Sequence, residues 1–163
     1  MAIYMKFGDI KGQVQTEGFK DWIELQSMQY GVSRNTSSGA GGAGREGAHP
    51  HISDIVITKN FDVASPKLYQ DSVAGAFHSK VEIKLTTTTK NKIDTYLALE
   101  LTDCGVSSYS TSASSHEGIG GPPMESLSLN FTKIMYTPSP LDTKGTPVKG
   151  AVVTYDLKQM KAS

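Results

Sequence analysis

Neither sign of charge prevails in this 163-residue chain: 16 Lys and Arg balance 16 Asp and Glu, for a formal net charge of zero. That leaves no basic footprint for sequence-independent nucleic-acid binding and no polybasic cluster to hold an anionic membrane surface. Cysteine occurs once, as Cys104, so no internal disulfide framework exists. No run approaches the ~18–20 apolar residues of a membrane-spanning helix. The opening Met1-Ala2-Ile3-Tyr4-Met5-Lys6-Phe7 lacks the apolar core of a signal peptide. The expectation is cytoplasmic folding without the general secretory route, with export after folding by a dedicated machine left open. At this length one domain is expected, with a core that needs no staples.

What the chain does have is period-two alternation, with Ser and Thr at about a fifth of its residues, a share that suits strands and turns. Ile3, Met5 and Phe7 alternate with Tyr4 and Lys6 and stop at Gly8-Asp9. Val81, Ile83 and Leu85 alternate with charged residues, Lys90-Asn91-Lys92 makes a turn, and Ile93 to Leu101 alternate back. This predicts a long antiparallel hairpin with one wet face. Leu127, Leu129 and Phe131 form another strand face, and Val153, Tyr155 and Leu157 a last one. Between Ile23-Leu25 and Met28-Tyr30-Val32 the apolar parity changes. That predicts a β-bulge near Gln26-Ser27, with two short strands meeting at a corner as the alternative. One helix is expected over about residues 65–75: Ser65 as N-cap, Pro66 at the first helical position, Gly75 as C-cap. Residues 35–50, 112–123 and 138–150 read as loops. The first is too long for an ordinary connection.

The Gly39 to Gly44 spacing resembles a phosphate loop, but Arg45-Glu46 stand where Lys-Ser/Thr are needed, and His49-Pro50 open no helix. A flexible interaction loop is the better reading. His49 and His51 form an H-x-H pair without evident further ligands, since Asp54 faces the other way. Cys104 with His78 or His116 could suggest nucleophile and base. Following a buried strand, however, Cys104 reads as a small core residue. Ser107-Ser108 lacks a nucleophile elbow, and Glu100 and Glu125 read as surface-facing positions and no glycosidase pair. Trp22, Tyr4, Tyr30, Tyr96, Tyr109 and Tyr136 fall on strands, where aromatics more often serve a core or a subunit interface than a sugar platform. The residues alone therefore indicate an all-β domain without catalysis, and no metal or cofactor is expected.

The order of these features resembles the Hcp family (haemolysin-coregulated protein), the inner-tube component of bacterial type VI secretion. The resemblance rests on Lys11-Gly12, Trp22-Ile23-Glu24, the Gly39 to Gly44 insertion, Thr58-Lys59-Asn60-Phe61-Asp62 with Ser65-Pro66-Lys67-Leu68, Val106-Ser107-Ser108-Tyr109, and Leu127 to Phe131. Gln13-Val14 departs from the Glu-Ser of many members. The resemblance implies a two-sheet β-barrel-like domain over residues 1–163 with one side helix, the Gly-rich loop, and no C-terminal effector extension. It also implies hexameric rings that stack into a tube, a contractile sheath, a spike-tip protein, small effectors carried in the lumen, and release from the cell. By family position Gly39, Gly41, Gly42, Gly44, Arg45 and Glu46 would form the ring-stacking loop, and Gln29, opposite in parity to Met28 and Tyr30, would face the lumen. Two other readings stay open on the residues alone: a monomeric β-barrel holding an apolar or sugar ligand, and a hydrolase using Cys104 or a serine.

Overall fold

The computed structural model describes residues 1–34, 49–115 and 120–163. The expected stacking-loop residues Gly39 to Glu46, the phosphate-loop spacing and His116 lie outside them. In chain order the elements are β1 (Ala2–Phe7), β2 (Ile23–Leu25), β3 (Ser27–Gln29), β4 (Val32–Ser33), β5 (His51–Ile52), β6 (Ile55–Asn60), α1 (Ser65–Ala74), β7 (Phe77–Thr89), β8 (Lys92–Ser112), β9 (Met124–Asn130), β10 (Lys133–Pro138), β11 (Val153–Asp156) and β12 (Lys161–Ala162). Among the described residues the architecture is mostly β with one short helix, as expected.

The alternation in β7 and β8 does what it predicts. Val81, Ile83 and Leu85 sit opposite Leu101, Leu99 and Leu97. Lys90 and Asn91 turn the chain with φ of 48° and 64°, the left-handed pair that matches the twist of a two-residue hairpin. A register shift at Leu85/Thr86 takes Ile93 off the expected face. It packs instead with Tyr4, Val14, Phe19 and Trp22 in a second, smaller cluster. Val14 is one of the buried members of that cluster.

Beyond the hairpin, β8 bends and changes partners. Its Leu97–Thr102 part meets β10, and its Gly105–Ser112 part meets β9. From β8 one path runs β7-β1-β2 and another β9-β6-β3, in one ten-stranded sheet. The two arms curl toward each other around a core that includes Met5, Phe7, Ile23, Ile57, Ile83, Leu99 and Leu127. The sheet is barrel-like without a closed ladder. The chain itself joins the two ends, because β2 pairs with β1 and β3 with β6.

That join corrects the bulge expected at Gln26-Ser27. The strand breaks there and changes partners at a corner, from β1 to β6, with the Gln26 N–H donating to Thr58 O at 2.8 Å. A corner lets Ile23 and Leu25 and then Met28 all face the core, which a single pleated strand of that parity cannot do.

The helix also differs at its start. Ala64 is the N-cap and Ser65 the first helical residue, with no side-chain cap bond. The Ser65 hydroxyl is drawn inward instead, while Asp62 Oδ1 accepts the Ala64 N–H at 2.9 Å. Gly75 closes the helix in the left-handed region, φ 69°, and its N–H donates to Asp71 O, as a Gly C-cap should. No helix among the described residues is long and apolar enough to cross a membrane.

Candidate functional site

Gln29 stands in a lattice of small neutral side chains. Directly opposite residues on antiparallel strands point to the same face. Ser27 lies beside Thr58, Thr58 beside Ser126, and Ser126 beside Ser110. One step along, Gln29 lies beside Val56, Val56 beside Ser128, and Ser128 beside Ser108. The intervening positions Met28, Ile57, Leu127 and Tyr109 point to the core side. Ser27 Oγ and Thr58 Oγ1 are 2.6 Å apart, and Ser108 Oγ donates to Ser128 Oγ at 2.8 Å. At these positions the wall carries hydroxyls, one amide and one valine, and no charge. The outer face of β7 and β8 is unlike it: Lys80 lies 3.5 Å from both Glu82 and Glu100, which together raise the Lys80 pKa.

Behind the wall lies a charge cluster that corrects the surface-facing reading of Glu125. Lys59 and Glu125 are both fully buried, and Lys59 Nζ is 2.7 Å from Glu125 Oε2 and 2.8 Å from Asp62 Oδ1. Lys59 also donates to Asn60 O and, at 3.1 Å, to Ser65 Oγ. Ser65 donates onward to Glu125 Oε2 at 2.8 Å and accepts the Asp62 N–H. The Tyr109 hydroxyl donates to Glu125 Oε1. Burial by itself would raise the Glu125 pKa, but the bonds from Lys59, Tyr109 and Ser65 outweigh it and hold the carboxyl below its ordinary value. Burial and the bond to Glu125 raise the Tyr109 pKa.

The cluster fastens α1. Only Ser65 and Leu68 of the helix are buried, so apolar packing on that face is thin and the polar strap does much of the holding. A Ser–Lys pair at this distance could suggest nucleophilic chemistry. Here the serine proton is committed to Glu125 and both residues are sealed from solvent, so the pair is structural. A signal for it existed in the sequence. Lys59 shares parity with Ile55 and Ile57, and Glu125 with Leu127 and Leu129, so two opposite charges were aimed inward on strands that turn out to be neighbours.

The other candidates take structural places. Cys104 is fully buried, and burial, with Asp54 a lesser cause, pushes its thiol up to about 12. A thiol reagent on the native protein is therefore expected to react at least tenfold more slowly with Cys104 than after unfolding. Reaction at the unfolded rate would show the thiol to be accessible. His78 lies directly across β7–β8 from Cys104, but its Nε2 is 2.6 Å from Asp71 Oδ2 on α1 and its ring sits edge-on to Phe7, so the imidazole is engaged elsewhere. Among the described residues no three His, Cys, Asp or Glu side chains converge to hold a metal. Asp54 instead accepts from Ser107 and Asn130. The aromatics also part company: Tyr4 and Trp22 join Phe19, with Lys84 over the Trp22 ring, and Tyr109 joins the buried cluster. Tyr30 and Tyr136 line a surface cleft, where burial and then the neighbouring Tyr136 raise the Tyr30 pKa.

Residues 4–137 match the family described as "Type VI secretion system effector, Hcp". No curated protein matches the chain by sequence. Among solved structures, one described as a type six secretion system protein is 23% identical with a TM-score of 0.91, covering 99% of each chain. Hcp1 from Salmonella typhimurium is 20% identical with a TM-score of 0.72, covering 99% of this chain and 98% of its own. A type VI secretion system effector from Yersinia pestis is 19% identical with a TM-score of 0.71, covering 94% and 98%.

Proposed function

The chain belongs to the Hcp family of type VI secretion proteins, and on that premise we propose that it builds a hexameric ring whose lumen is lined by the neutral wall around Gln29. One tube domain spans residues 1–163 in this reading, and its work is structural. Rings stack into a tube that a sheath propels and a spike tips. The tube carries small effectors and leaves the cell with them. The protein is folded in the cytoplasm before export. The observation that carries the reading is the wall itself, an extended, uncharged, hydroxyl-bearing sheet face. Such a face wets a channel and offers hydrogen bonds to a passenger without gripping one charge pattern. Gly39, Gly41, Gly42, Gly44, Arg45 and Glu46, which fall in the sequence between the paired strands β4 and β5, form the ring-stacking contact in this reading.

Native mass and negative-stain imaging test the ring. A species of about six subunits with an open centre is expected, and a strict monomer at high concentration would count against it. Gln29→Arg tests the lumen. Gln29 is exposed on β3, so the variant should fold and assemble while retaining co-purified effector at least tenfold less well. Loss of the ring in that variant would show that Gln29 lies in a subunit contact and not in the lumen. A small-ligand barrel would need an open interior, whereas this one is filled by side chains such as Phe7, Met5 and Ile57, each fully buried.

A further inference from the structure

The tube gives His49 and His51 no task, yet the fold supplies them with a neighbour that no sequence spacing announces. His49, His51 and Met160 line one cleft of about 250 Å³, with Asp54 and Asn130 among its other walls. Organic ligands of drug size occupy clefts of roughly 300–1,000 Å³, so this one suits an ion better than a molecule. Pro50 favours extended backbone at His49, and both histidines are exposed. Met160 arrives from the turn between β11 and β12. Its φ of 52° is a left-handed conformation that strains a residue with a long side chain. Asp156 Oδ1 holds that turn by accepting the N–H groups of Lys158 and Gln159 at 2.9 and 3.0 Å. Met160 remains 56% exposed, so the turn presents a thioether in the same cleft as two imidazoles.

We propose that His49, His51 and Met160 bind one monovalent copper ion per subunit. The donor set selects the metal. Imidazole suits several transition metals, but a thioether is soft and favours Cu(I) over Zn(II), Mg(II) or Ca(II). The cleft's carboxylate is not offered to a hard cation: Asp54 Oδ2 accepts from Ser107 at 2.6 Å and Oδ1 from Asn130 at 3.0 Å. Its negative charge still favours a cation nearby. Binding needs no redox step, because neutral imidazoles and a thioether each donate a lone pair and no bond breaks. Histidine, cysteine and carboxylate ligands alone do not complete a site here; the methionine supplies the missing donor. The inference is independent of the ring reading, since all three residues belong to one subunit.

Titration of Cu(I) into the purified protein, anaerobically with a reductant and against the chromogenic chelator bicinchoninate, tests the site. One ion per subunit is expected. All three side chains are exposed, so His49→Ala, His51→Ala and Met160→Leu should leave the circular dichroism unchanged. Each is expected to weaken Cu(I) binding at least about tenfold. Met160→Leu separates this site from a plain surface histidine pair. It should leave Ni(II) binding, which needs only the imidazoles, within about twofold of the parent. X-ray absorption of the copper-loaded parent should show nitrogen and sulfur scatterers, with the sulfur lost in Met160→Leu. A parent that takes up no stoichiometric copper would overturn the proposal, as would a Cu(I) affinity that Met160→Leu does not move. Sulfur that persists in Met160→Leu would place the ion on another residue such as Cys104 and overturn it equally.

Discussion

Replacing Lys59 with alanine is expected to destabilise the fold by about 3–5 kcal/mol, because removing one partner leaves the other charge buried and uncompensated. Glu125→Ala should cost a similar amount by stranding the ammonium. Lys59→Met with Glu125→Leu should recover most of the loss, since apolar residues of similar volume often replace a buried pair at little cost. Urea denaturation at pH 7 measures all three, and single variants within about 1 kcal/mol of the parent would show the cluster to be no more than a surface-grade pair. The pH dependence has a definite sign. The Glu125 pKa is lowered in the folded state. Its contribution is therefore fully present above the unfolded carboxylate value, about 4.3, and fades as pH falls through the lower folded value. Acid should destabilise the parent more steeply than Glu125→Gln in that window.

Gly12→Ala should cost up to about 3 kcal/mol, the upper end for overpacking, because the obstacle is main chain and cannot rotate away. A Cβ at Gly12 would lie 2.2 Å from Trp22 O, 2.5 Å from Trp22 C and 2.8 Å from Ile23 Cα. The Gly12 N–H donates to Asp21 O at 2.8 Å, and the Asp21 N–H returns to Val14 O at 2.8 Å. Segment 12–22 thus folds back on itself against the start of β2. Displacing it disturbs the Tyr4, Phe19 and Trp22 rings, so the variant should lose near-ultraviolet aromatic signal as well as stability. Gly31→Ala is the matched control. No described residue lies within 4 Å of its added Cβ, and a change within about 0.5 kcal/mol is expected. If Gly12→Ala proved as mild as Gly31→Ala, the close approach would not matter. The Lys11-Gly12 element of the family resemblance thereby acquires a steric reason.

Legibility followed the range of the interaction. The β7–β8 hairpin could be read because its alternation, its turn pair and its partner strand are contiguous. At the far end of β8 only Tyr109 could be assigned to a strand. Cys104-Gly105-Val106-Ser107-Ser108 has no alternating apolar signal, and its strand form comes from the pairing with β9, for example Tyr109 with Leu127. The parity change at Gln26 was visible, but whether it became a bulge or a corner depended on which strand received each side of it. Gln29 was placed on an outward face by parity alone. Its neighbours Val56, Ser128 and Ser108 were not foreseen, because they come from three other strands and only register sets them side by side.

The amino-acid order by itself determined which residues of each strand share a face, where the hairpin turns and where the helix stops. These follow from steric rules acting over a few residues. The tertiary structure alone decided who faces whom. It brought Glu125 to Lys59, 66 residues away, and aligned four strands' hydroxyls into one wall. Strand pairing between distant segments is selected by the burial of the whole core, and no local pattern encodes it.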